Sequence, residues 1–350
     1  MTLIATGQSN HVAPSTPLLP EVDPISGVRL PTMADVARAR EVVAAYLRPT
    51  PLLANPALDE LLGCEAFLKC ENLQPIGAFK VRGGLFLMSD LSPEERARGV
   101  VTASTGNHGQ SIAYAAREFA APATVWMPIE ANPLKVASMR RLGAEVRFAG
   151  RDFDECREKA EHDAAKRGAT YVVPANDWRL IAGVATYTVE MLEDVPELDV
   201  LIVPAGGGSG LSGACFAGKT ISPSLRVIGV QAAGAPVIYE TWRSGELQEI
   251  PRAETFAEGL ATRVAFSLPA QILWKRLDDF RLVTDAEMRR GILTLLERAR
   301  ILAEGAGAAA FAAAYAMREE LAGRKIGIVV SGGNLTLGAL SEALAMEQPW

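Results

Sequence analysis

Short apolar β-type runs alternate with helical stretches along most of this chain, and several of the runs end in a polar loop that contains glycine. This alternation predicts parallel sheets covered by helices on both faces. In open sheets of this kind, ligands bind beyond the carboxyl ends of the strands. Three such loops begin at residues 104, 206 and 331, so we expect them to meet at one crevice.

Helix-capping patterns mark where many of the helices start. Thr32-Met-Ala-Asp35 and Ser92-Pro-Glu-Glu95 have the spacing of a capping box, and Asn55-Pro56 begins a helix that Gly63 ends. Residues 304–308 lead into an alanine-rich helix, which we interpret as structural. The predicted strands cover residues 65–69, 99–103, 123–127, 144–148, 171–174, 198–204, 225–231 and 326–330. The sequence therefore predicts the α/β class, with a doubly wound sheet.

Composition and charge argue against several kinds of partner. The 350 residues are 49% hydrophobic, which fits a large core and about two domains. The net charge is -6, and no run of Lys and Arg is long enough to follow a nucleic acid backbone. Residues 1–31 lack the features of a signal peptide, and we interpret them as a loose N-terminal arm of a cytoplasmic protein with no membrane partner. The four cysteines and three histidines predict neither a disulfide framework nor a zinc site.

One lysine stands among small and apolar neighbours, in the stretch Gly77-Ala-Phe-Lys80-Val. Lys80 follows a predicted strand, and a turn before it would let the amine reach inward and lose part of its contact with water. Loss of water disfavours the ammonium form, which makes a lysine a better nucleophile and base. Composition alone also fits a surface lysine that extends past Phe79. Lys80 is a candidate catalytic residue whose support must come from other parts of the chain.

A glycine loop follows the predicted strand at 198–204 and leads into a helix, with Gly206-Gly-Gly-Ser-Gly210 at its centre. Glycines let backbone N–H groups approach a phosphate closely, at a helix N-terminus where negative charge is stabilised. The spacing Gly208-x-Gly210-x-x-Gly213 also matches the NAD fingerprint, but an NAD site requires an acidic residue about 20 positions later. The next predicted strand ends in Gln231 instead. An NAD enzyme, and glycines that serve helix packing alone, remain alternatives.

Three features of the chain together match what pyridoxal phosphate (PLP) requires. A reactive lysine would carry its aldehyde, the glycine loop would hold its phosphate, and a polar group at another strand end would face its ring nitrogen. Four motifs, in this order, resemble the signatures of the threonine dehydratase and serine racemase family, which belongs to the fold-type-II (tryptophan synthase β-like) PLP enzymes. They are Glu71-Asn-Leu-Gln-Pro-Ile-Gly-Ala-Phe-Lys80-Val-Arg-Gly, Ser104-Thr-Gly-Asn-His-Gly109, the glycine loop and Ser331-Gly-Gly-Asn334.

The resemblance covers the chain from residue 32 to its end and implies a domain organisation. It implies an α/β fold with two open, doubly wound parallel-sheet domains and PLP in the cleft between them. The large PLP-binding domain would comprise residues 32–99 and 181–350, and residues 100–180 would form a small inserted domain. A cleft of this kind would close on the substrate and exclude water. The resemblance also implies a homodimer.

Roles for individual residues follow from the same resemblance. Lys80 would be attached to PLP, Phe79 would lie near its ring, Asn107 would bond the ring's 3-oxygen, and Ser331 would face the pyridine nitrogen. The cofactor phosphate would be held by the backbone N–H groups of Gly206, Gly207, Gly208, Ser209 and Gly210. The substrate carboxylate would be bound by the loop of Ser104, Thr105, Gly106, Asn107 and His108.

The reaction that the resemblance implies is the elimination of water from a small β-hydroxy amino acid, with Lys80 as the general base. L-Threonine or L-serine would give a 2-oxo acid and ammonia. Alternatives are a dehydratase for phenylserine or 3-hydroxyaspartate, a serine racemase, and a non-catalytic module that binds PLP or a nucleotide. Thr105 stands where serine racemases carry an acid–base serine, and its extra methyl group stiffens the side chain and crowds the site. We therefore predict that elimination exceeds racemisation.

Departures from the family's pattern lead to further expectations. Gln231 and Val237 stand where many relatives have acidic ligands of a divalent cation, so we expect no metal. Ser209 stands where a glycine is usual, which would reshape the phosphate site without abolishing it. The chain ends at Trp350, soon after the Ser331 motif, so we expect no regulatory domain and no inhibition by isoleucine.

Overall fold

Strands and helices alternate as the sequence predicts. The computed structural model describes residues 17–104, 106–131, 133–150 and 153–350. In these residues the strands are β1 Leu52–Ala54, β2 Glu65–Cys70, β3 Val100–Ala103, β4 Ala123–Met127, β5 Glu145–Phe148, β6 Thr170–Tyr171, β7 Val200–Pro204, β8 Arg226–Ala232, β9 Asp279–Val283 and β10 Lys325–Val330. The α-helices are α1 Met33–Tyr46, α2 Pro56–Leu62, α3 Val81–Asp90, α4 Pro93–Arg98, α5 Asn107–Glu118, α6 Pro133–Arg141, α7 Phe153–Arg167, α8 Trp178–Asp194, α9 Ser209–Ile221, α10 Val237–Ser244, α11 Ser267–Arg276, α12 Asp285–Thr294, α13 Gly305–Ala316 and α14 Leu337–Met346.

The strands form two sheets. The larger sheet has the order β1-β2-β10-β7-β8-β9, and the smaller has the order β5-β4-β3-β6. All neighbours in both sheets are parallel except β1, which pairs antiparallel with β2 at one edge. Because β2, β10 and β7 are neighbours, the loops after these three strands leave the larger sheet side by side.

Helices cover both faces of the larger sheet, which is why its central strands are continuous apolar runs. One core cluster contains the buried side of α13 together with residues of β2, β7 and β10. The other lies between the opposite face of the sheet and helices α1, α8, α9 and α11. Every residue of β7 is buried, and so is every residue of α13 from Gly305 to Ala314. Small side chains let that helix lie close to the sheet.

The predicted helix caps are present. Thr32 and Asp35 form a capping box at α1, Ser92 and Glu95 form another at α4, and the Asn55 side chain accepts from the first backbone N–H groups of α2. Gly63 ends α2 in the left-handed conformation, at φ 67°. Local sequence therefore determines these boundaries.

Some elements differ from the sequence-based expectation. Strand β6 ends at Tyr171, whereas the sequence predicts a strand to residue 174. Pro174 has no N–H group, so it cannot extend a ladder. The predicted domain boundary at 180 falls inside α8, and that boundary stays a prediction. Among the described residues, no helix combines the length and apolar character needed to cross a membrane.

Candidate active site

Segments that follow neighbouring strands meet in one place. The N–H of Phe79 donates to the carbonyl of Ser331 at 3.1 Å, and Ala78 pairs with Gly332 in an antiparallel bridge. These contacts join the lysine stretch after β2 to the loop after β10. The third segment, after β7, approaches through Ser209, whose Oγ lies 3.1 Å from the Nζ of Lys80. The structure thus brings the loops at 71, 206 and 331 together.

Lys80 lies at the start of α3, partly buried at the base of this crevice. Its Nζ is 5.2 Å from the centroid of the Phe79 ring. Burial lowers the pKa of the amine from 10.5 to about 8. Among the described residues, no carboxylate lies within ion-pair distance of it. A lysine in this setting holds much of its population as the neutral amine near pH 8, and the neutral amine is the form that acts as a nucleophile or base.

Gly77 shapes the turn that precedes Lys80. Its φ is 68°, in the left-handed region, and a Cβ atom there would come within 2.6 Å of Asn334 Oδ1. Only glycine meets both conditions without strain. Gly77 therefore lets the lysine turn and the Asn334 side chain occupy adjacent space.

The glycine loop presents a row of backbone donors. Among the described residues, none accepts a hydrogen bond from the backbone N–H groups of residues 206–211. These groups lie at the N-terminus of α9. Gly208 has a φ of 94°, and a Cβ atom on Gly206 would collide with the carbonyl of Gly259. The glycines are therefore needed for packing, and the N–H groups and helix dipole together can bind an anion.

The hydroxyl oxygen of Ser104 accepts two hydrogen bonds within the loop after β3. Ser104 Oγ accepts from the N–H of Gly106 at 3.2 Å and from the N–H of Gly109 at 2.9 Å. Ser104 thus joins the end of β3 to the first turn of α5. Thr105, a predicted site residue, lies outside the described residues.

The His108 side chain is buried behind the start of α5, in contact with β3. Its Nε2 lies 3.1 Å from the hydroxyl of Thr102. Burial, with a smaller effect from the charge of Lys80, lowers the pKa of the imidazole from 6.5 to about 3. The ring is therefore neutral at physiological pH, and only the backbone N–H of His108 can face a ligand at the start of α5.

Asn107 connects α5 to the larger sheet. Its Nδ2 donates to Glu304 Oε1 at 2.7 Å, and its Oδ1 accepts from Asn334 Nδ2 at 2.7 Å. Ser331, in the same loop as Asn334, is buried, and its hydroxyl donates to the carbonyl of Ala306 at 3.3 Å. The predicted residues Asn107 and Ser331 thus lie on elements that are directly linked.

Glu304 is a site residue that sequence reasoning missed, because the small residues after it pointed to helix packing alone. Burial raises the pKa of its carboxyl from 4.5 to about 7. The hydrogen bond from Asn107 and the charge of Lys135 act to lower it, while the charge of Glu258 acts to raise it. The available signal was an acidic residue immediately before a run of glycine and alanine, whose side chains offer it no hydrogen bond.

Behind Lys80, four charged side chains neutralise one another. Arg82 donates to Glu71 through Nε and Nη2, both at 2.8 Å, and to Glu190 Oε1 through Nη1 at 2.6 Å. Lys69 Nζ lies 2.6 Å from Glu190 Oε2. Although burial acts to raise it, the hydrogen bonds and charges of Arg82 and Lys69 lower the pKa of the Glu190 carboxyl. This cluster ties β2, α3 and α8 together and so supports the turn that carries Lys80.

Gln231 is one of the two residues on which the expectation of no metal rests. Its Oε1 accepts from the N–H groups of Ile238 and Tyr239 at the start of α10, and its Nε2 has no partner among the described residues. In the described ranges, no group of three or more His, Cys, Asp or Glu residues is arranged to hold a metal ion. The expectation of no metal stays a prediction.

Comparison with known proteins places this geometry in a family. A family model described as "Pyridoxal-phosphate dependent enzyme" matches residues 43–332. The chain belongs to this family. It is 39% identical over 313 residues to an L-threonine ammonia-lyase from Thermotoga maritima, which covers 89% of this chain and 78% of that protein. An L-threo-3-hydroxyaspartate ammonia-lyase from Saccharomyces cerevisiae is 36% identical over 308 residues, 88% of this chain and 94% of that one.

The fold of this PLP enzyme is also shared with solved structures. The structure of maize serine racemase matches with a TM-score of 0.85 and 30% sequence identity, over 90% of this chain and 97% of that one. The family, the fold-type-II α/β class with parallel-sheet domains, and PLP as the cofactor, all expected from the sequence, are confirmed. So is the expectation of a PLP-dependent enzyme of the ammonia-lyase type. The NAD alternative finds no support in these matches.

Proposed function

We propose that this protein removes water from a small L-β-hydroxy amino acid, with L-threonine and L-serine as the default substrates, and releases a 2-oxo acid and ammonia. The observation that carries this proposal is Lys80, an amine of lowered pKa that faces the donor-rich loop at 206–211. Similarity to the Thermotoga maritima L-threonine ammonia-lyase supports elimination as the reaction class.

The groups around the crevice fit PLP. The N–H groups of Gly206–Gly210 would hold the phosphate, and the Lys80 amine would carry the aldehyde. Asn107 would donate to the ring's 3-oxygen, Phe79 would lie beside the ring, and Ser331 would face the pyridine nitrogen. When bound, PLP supplies an electron sink that acidifies the substrate's Cα–H.

Lys80 would then move the proton. A neutral amine can take the Cα proton, and a pKa of about 8 keeps a useful fraction neutral at physiological pH. The Ser209 hydroxyl, 3.1 Å from Nζ, orients the amine. Because Ser331 offers a neutral hydroxyl, it would leave the pyridine nitrogen largely unprotonated. That favours loss of the β-hydroxyl over chemistry that needs a long-lived carbanion.

The start of α5 would bind the substrate carboxylate. Ser104 Oγ accepts from two N–H groups of its own loop and keeps its hydroxyl hydrogen available to donate, whereas the His108 imidazole is buried. We therefore assign the carboxylate to the Ser104 hydroxyl and to the backbone N–H groups of Asn107 and His108, at the positive end of the helix dipole. Contributions from Gly106 and from Thr105, as predicted from the sequence, remain part of this proposal.

A substrate panel tests the proposed reaction. The purified holoenzyme would be incubated with L-threonine, L-serine, phenylserine and 3-hydroxyaspartate, and 2-oxo acid and ammonia would be measured. We expect the highest turnover with L-threonine or L-serine. Preference for 3-hydroxyaspartate would instead match the activity named for the yeast relative. If the protein binds PLP but releases ammonia from none of the four amino acids, the result would favour a non-catalytic binding module.

Racemisation is the second candidate, because the maize serine racemase shares the fold over almost the whole chain. Racemisation needs an acid–base group on the ring face opposite Lys80, and the family resemblance gives this role to the sequence position of Thr105. Its methyl group restricts the hydroxyl, so we expect pyruvate to form far faster than D-serine from L-serine. Chiral chromatography decides between them, and Thr105→Ser should raise the D-serine yield. Equal rates of D-serine and pyruvate formation would favour the racemase.

Residues 100–180 are proposed to act as a small domain that closes over the cleft. Closure would exclude water from the reacting atoms. Hydrogen exchange in α5 and α6 should slow when a substrate analogue binds, and unchanged exchange and compactness would oppose closure. A homodimer and a cytoplasmic location, both expected from the sequence, stay predictions, and sedimentation of the purified enzyme tests the first.

A further inference from the structure

A chain of hydrogen bonds determines which end of the Asn107 amide is nitrogen. Asn334 Nδ2 donates to the backbone carbonyl of Ile76 at 2.8 Å, and a carbonyl can only accept. The same NH₂ group donates to Asn107 at 2.7 Å, so the Asn107 atom on that side must be the oxygen. The nitrogen of Asn107 therefore faces Glu304, whose Oε1 accepts at 2.7 Å. The donor and acceptor at each of these hydrogen bonds are therefore fixed by the backbone carbonyl of Ile76.

This series of hydrogen bonds does not use one of the two amide hydrogens of Asn107. An amide NH₂ carries two hydrogens, and Glu304 accepts one of them. Among the described residues, the second hydrogen has no acceptor. The oxygen of Asn107 is already engaged by Asn334. Asn107 can therefore offer a ligand one free amide hydrogen, on the side of the group that faces Glu304.

Glu304 does not behave as an ordinary helix cap. It precedes α13, yet its side chain makes no capping hydrogen bond to that helix. Its backbone N–H donates to the carbonyl of Gly332 at 3.0 Å, and a Cβ atom on Gly332 would collide with the Glu304 carboxyl. The carboxyl is thus held against the loop that carries Asn334, with its oxygen turned to Asn107.

We propose that Glu304 and Asn334 are positioning residues that hold the Asn107 amide with its N–H end towards the cofactor, so that the site selects a ring oxygen that accepts a hydrogen bond. This inference rests on the proposed place of PLP. Preference for the 3-oxygen in its unprotonated form follows, because a charged oxygen accepts the hydrogen bond from Asn107 more strongly than a neutral hydroxyl does. The two positioning residues act through Asn107 and do not contact the reacting atoms.

Substitutions of Glu304 test the donor–acceptor direction of the hydrogen bonds from Asn334 through Asn107 to Glu304. Glu304→Gln keeps an oxygen that can accept from Asn107, whereas Glu304→Leu has a similar size and no acceptor. We expect the Kd of the holoenzyme for PLP, measured by dilution and retitration, to change less than about 2-fold in Glu304→Gln and to rise about 5- to 10-fold in Glu304→Leu. The visible absorption band of the bound cofactor should shift in Glu304→Leu alone.

Asn334→Asp provides a second, independent variant. An aspartate at 334 can only accept, so the Asn107 amide would turn over and present its oxygen to the cofactor. We expect PLP binding to weaken by about 10-fold or more and the absorption band to shift. Thermal unfolding of each cofactor-free variant separates loss of fold from loss of positioning.

The comparison between variants decides the outcome. Glu304→Leu binding PLP as tightly as Glu304→Gln, with the same absorption band, would overturn the inference. Equal losses in Glu304→Gln and Glu304→Leu would also overturn it, because the charge and not the acceptor would then matter. The Kd for PLP and the absorption band do not depend on turnover. Failure of the substrate panel would therefore count against the proposed reaction, and the comparison between the Glu304 variants could still be interpreted.

Discussion

Lys69 and Lys80 are both enclosed by protein, but their partners differ. The Lys69 side chain is 0% exposed, and its Nζ contacts the Glu190 carboxylate at 2.6 Å and the carbonyl of Thr50 at 2.9 Å. The Lys80 amine contacts a hydroxyl, that of Ser209. A carboxylate partner stabilises the charged form of a buried lysine, and burial without one destabilises it. The partner, more than the burial, therefore separates the structural lysine from the reactive one.

The largest effect that this comparison predicts is on turnover. Lys80→Ala should lower the rate of 2-oxo acid formation by about 10³-fold, because it removes both the attachment point and the base. Lys69→Met is the matched control, and its folded fraction should keep a rate within about 3-fold of wild type. Folded Lys69→Met that lost activity as fully as Lys80→Ala would break the comparison.

Stability should change in opposite directions in the two lysine variants. Lys69→Met leaves part of the Glu190 charge unpaired and should lower the free energy of unfolding by about 3 kcal/mol. Lys80→Met removes a buried amine with no carboxylate partner and should raise it in the cofactor-free protein. Urea denaturation of both variants measures the two changes. Destabilisation of the same size in both would contradict the assignment of Lys80.

The pH dependence of cofactor attachment sharpens the contrast. Only the neutral amine attacks the aldehyde, and burial places the pKa of Lys80 at about 8 instead of 10.5. The rate at which PLP attaches to the cofactor-free protein should therefore rise about tenfold per pH unit below pH 8 and level off above it. Stopped-flow absorbance records this profile. A rate that kept rising to pH 10 would indicate an ordinary exposed lysine.

Glu304 should give a smaller effect with a defined sign. Its pKa is raised from 4.5 to about 7 by burial, so below pH 4.5 it is protonated in both folded and unfolded protein and has no effect. As the pH rises from 4.5 to 7, the unfolded chain loses the proton first, and the cofactor-free protein loses stability. Glu304→Gln should thus be more stable than wild type at pH 7.5 and equal to it near pH 4. A constant difference across this range would contradict the raised pKa.

The smallest predicted effect concerns an ion pair across the cleft. Lys135 of α6 pairs with Glu258, in the turn before α11, and Glu258 is largely exposed. An exposed pair of this kind contributes about 0.5 kcal/mol. Lys135→Met should speed hydrogen exchange in α6 modestly, and 0.5 M salt should have the same effect on wild type. Unchanged hydrogen exchange in the variant and in wild type at high salt would show that this ion pair does not contribute to closure of the cleft.

Local chemistry explains why so much of the fold could be predicted. The caps at Thr32, Asn55 and Ser92 require only side chains within a few residues, and the apolar runs at β7 and β10 can be buried only in a covered sheet. The antiparallel pairing of β1 was not predicted, because a strand of three residues has no period of its own. Helix α8 was not among the predicted elements, although Asp177 caps its first turn.

The site was predictable where a motif carries its chemistry and unpredictable where contacts join distant segments. Lys80 and the glycine loop each show their character within a few neighbours. Glu304 becomes a site residue only through Asn107, which lies at the start of α5, and Asn334 only through the carbonyl of Ile76. No spacing in the sequence records these contacts. The inward turn of the His108 imidazole likewise depends on Thr102 in β3.

The most direct test of the central claim locates the lysine that carries the cofactor. The holoenzyme would be treated with borohydride, which makes the attachment permanent, and digested for peptide mass spectrometry. We predict that the pyridoxyl group is found on Lys80 and that the Lys69 peptide is unmodified. A pyridoxyl group on Lys69 or Lys219 would contradict the account, since both of those amines have carboxylate partners.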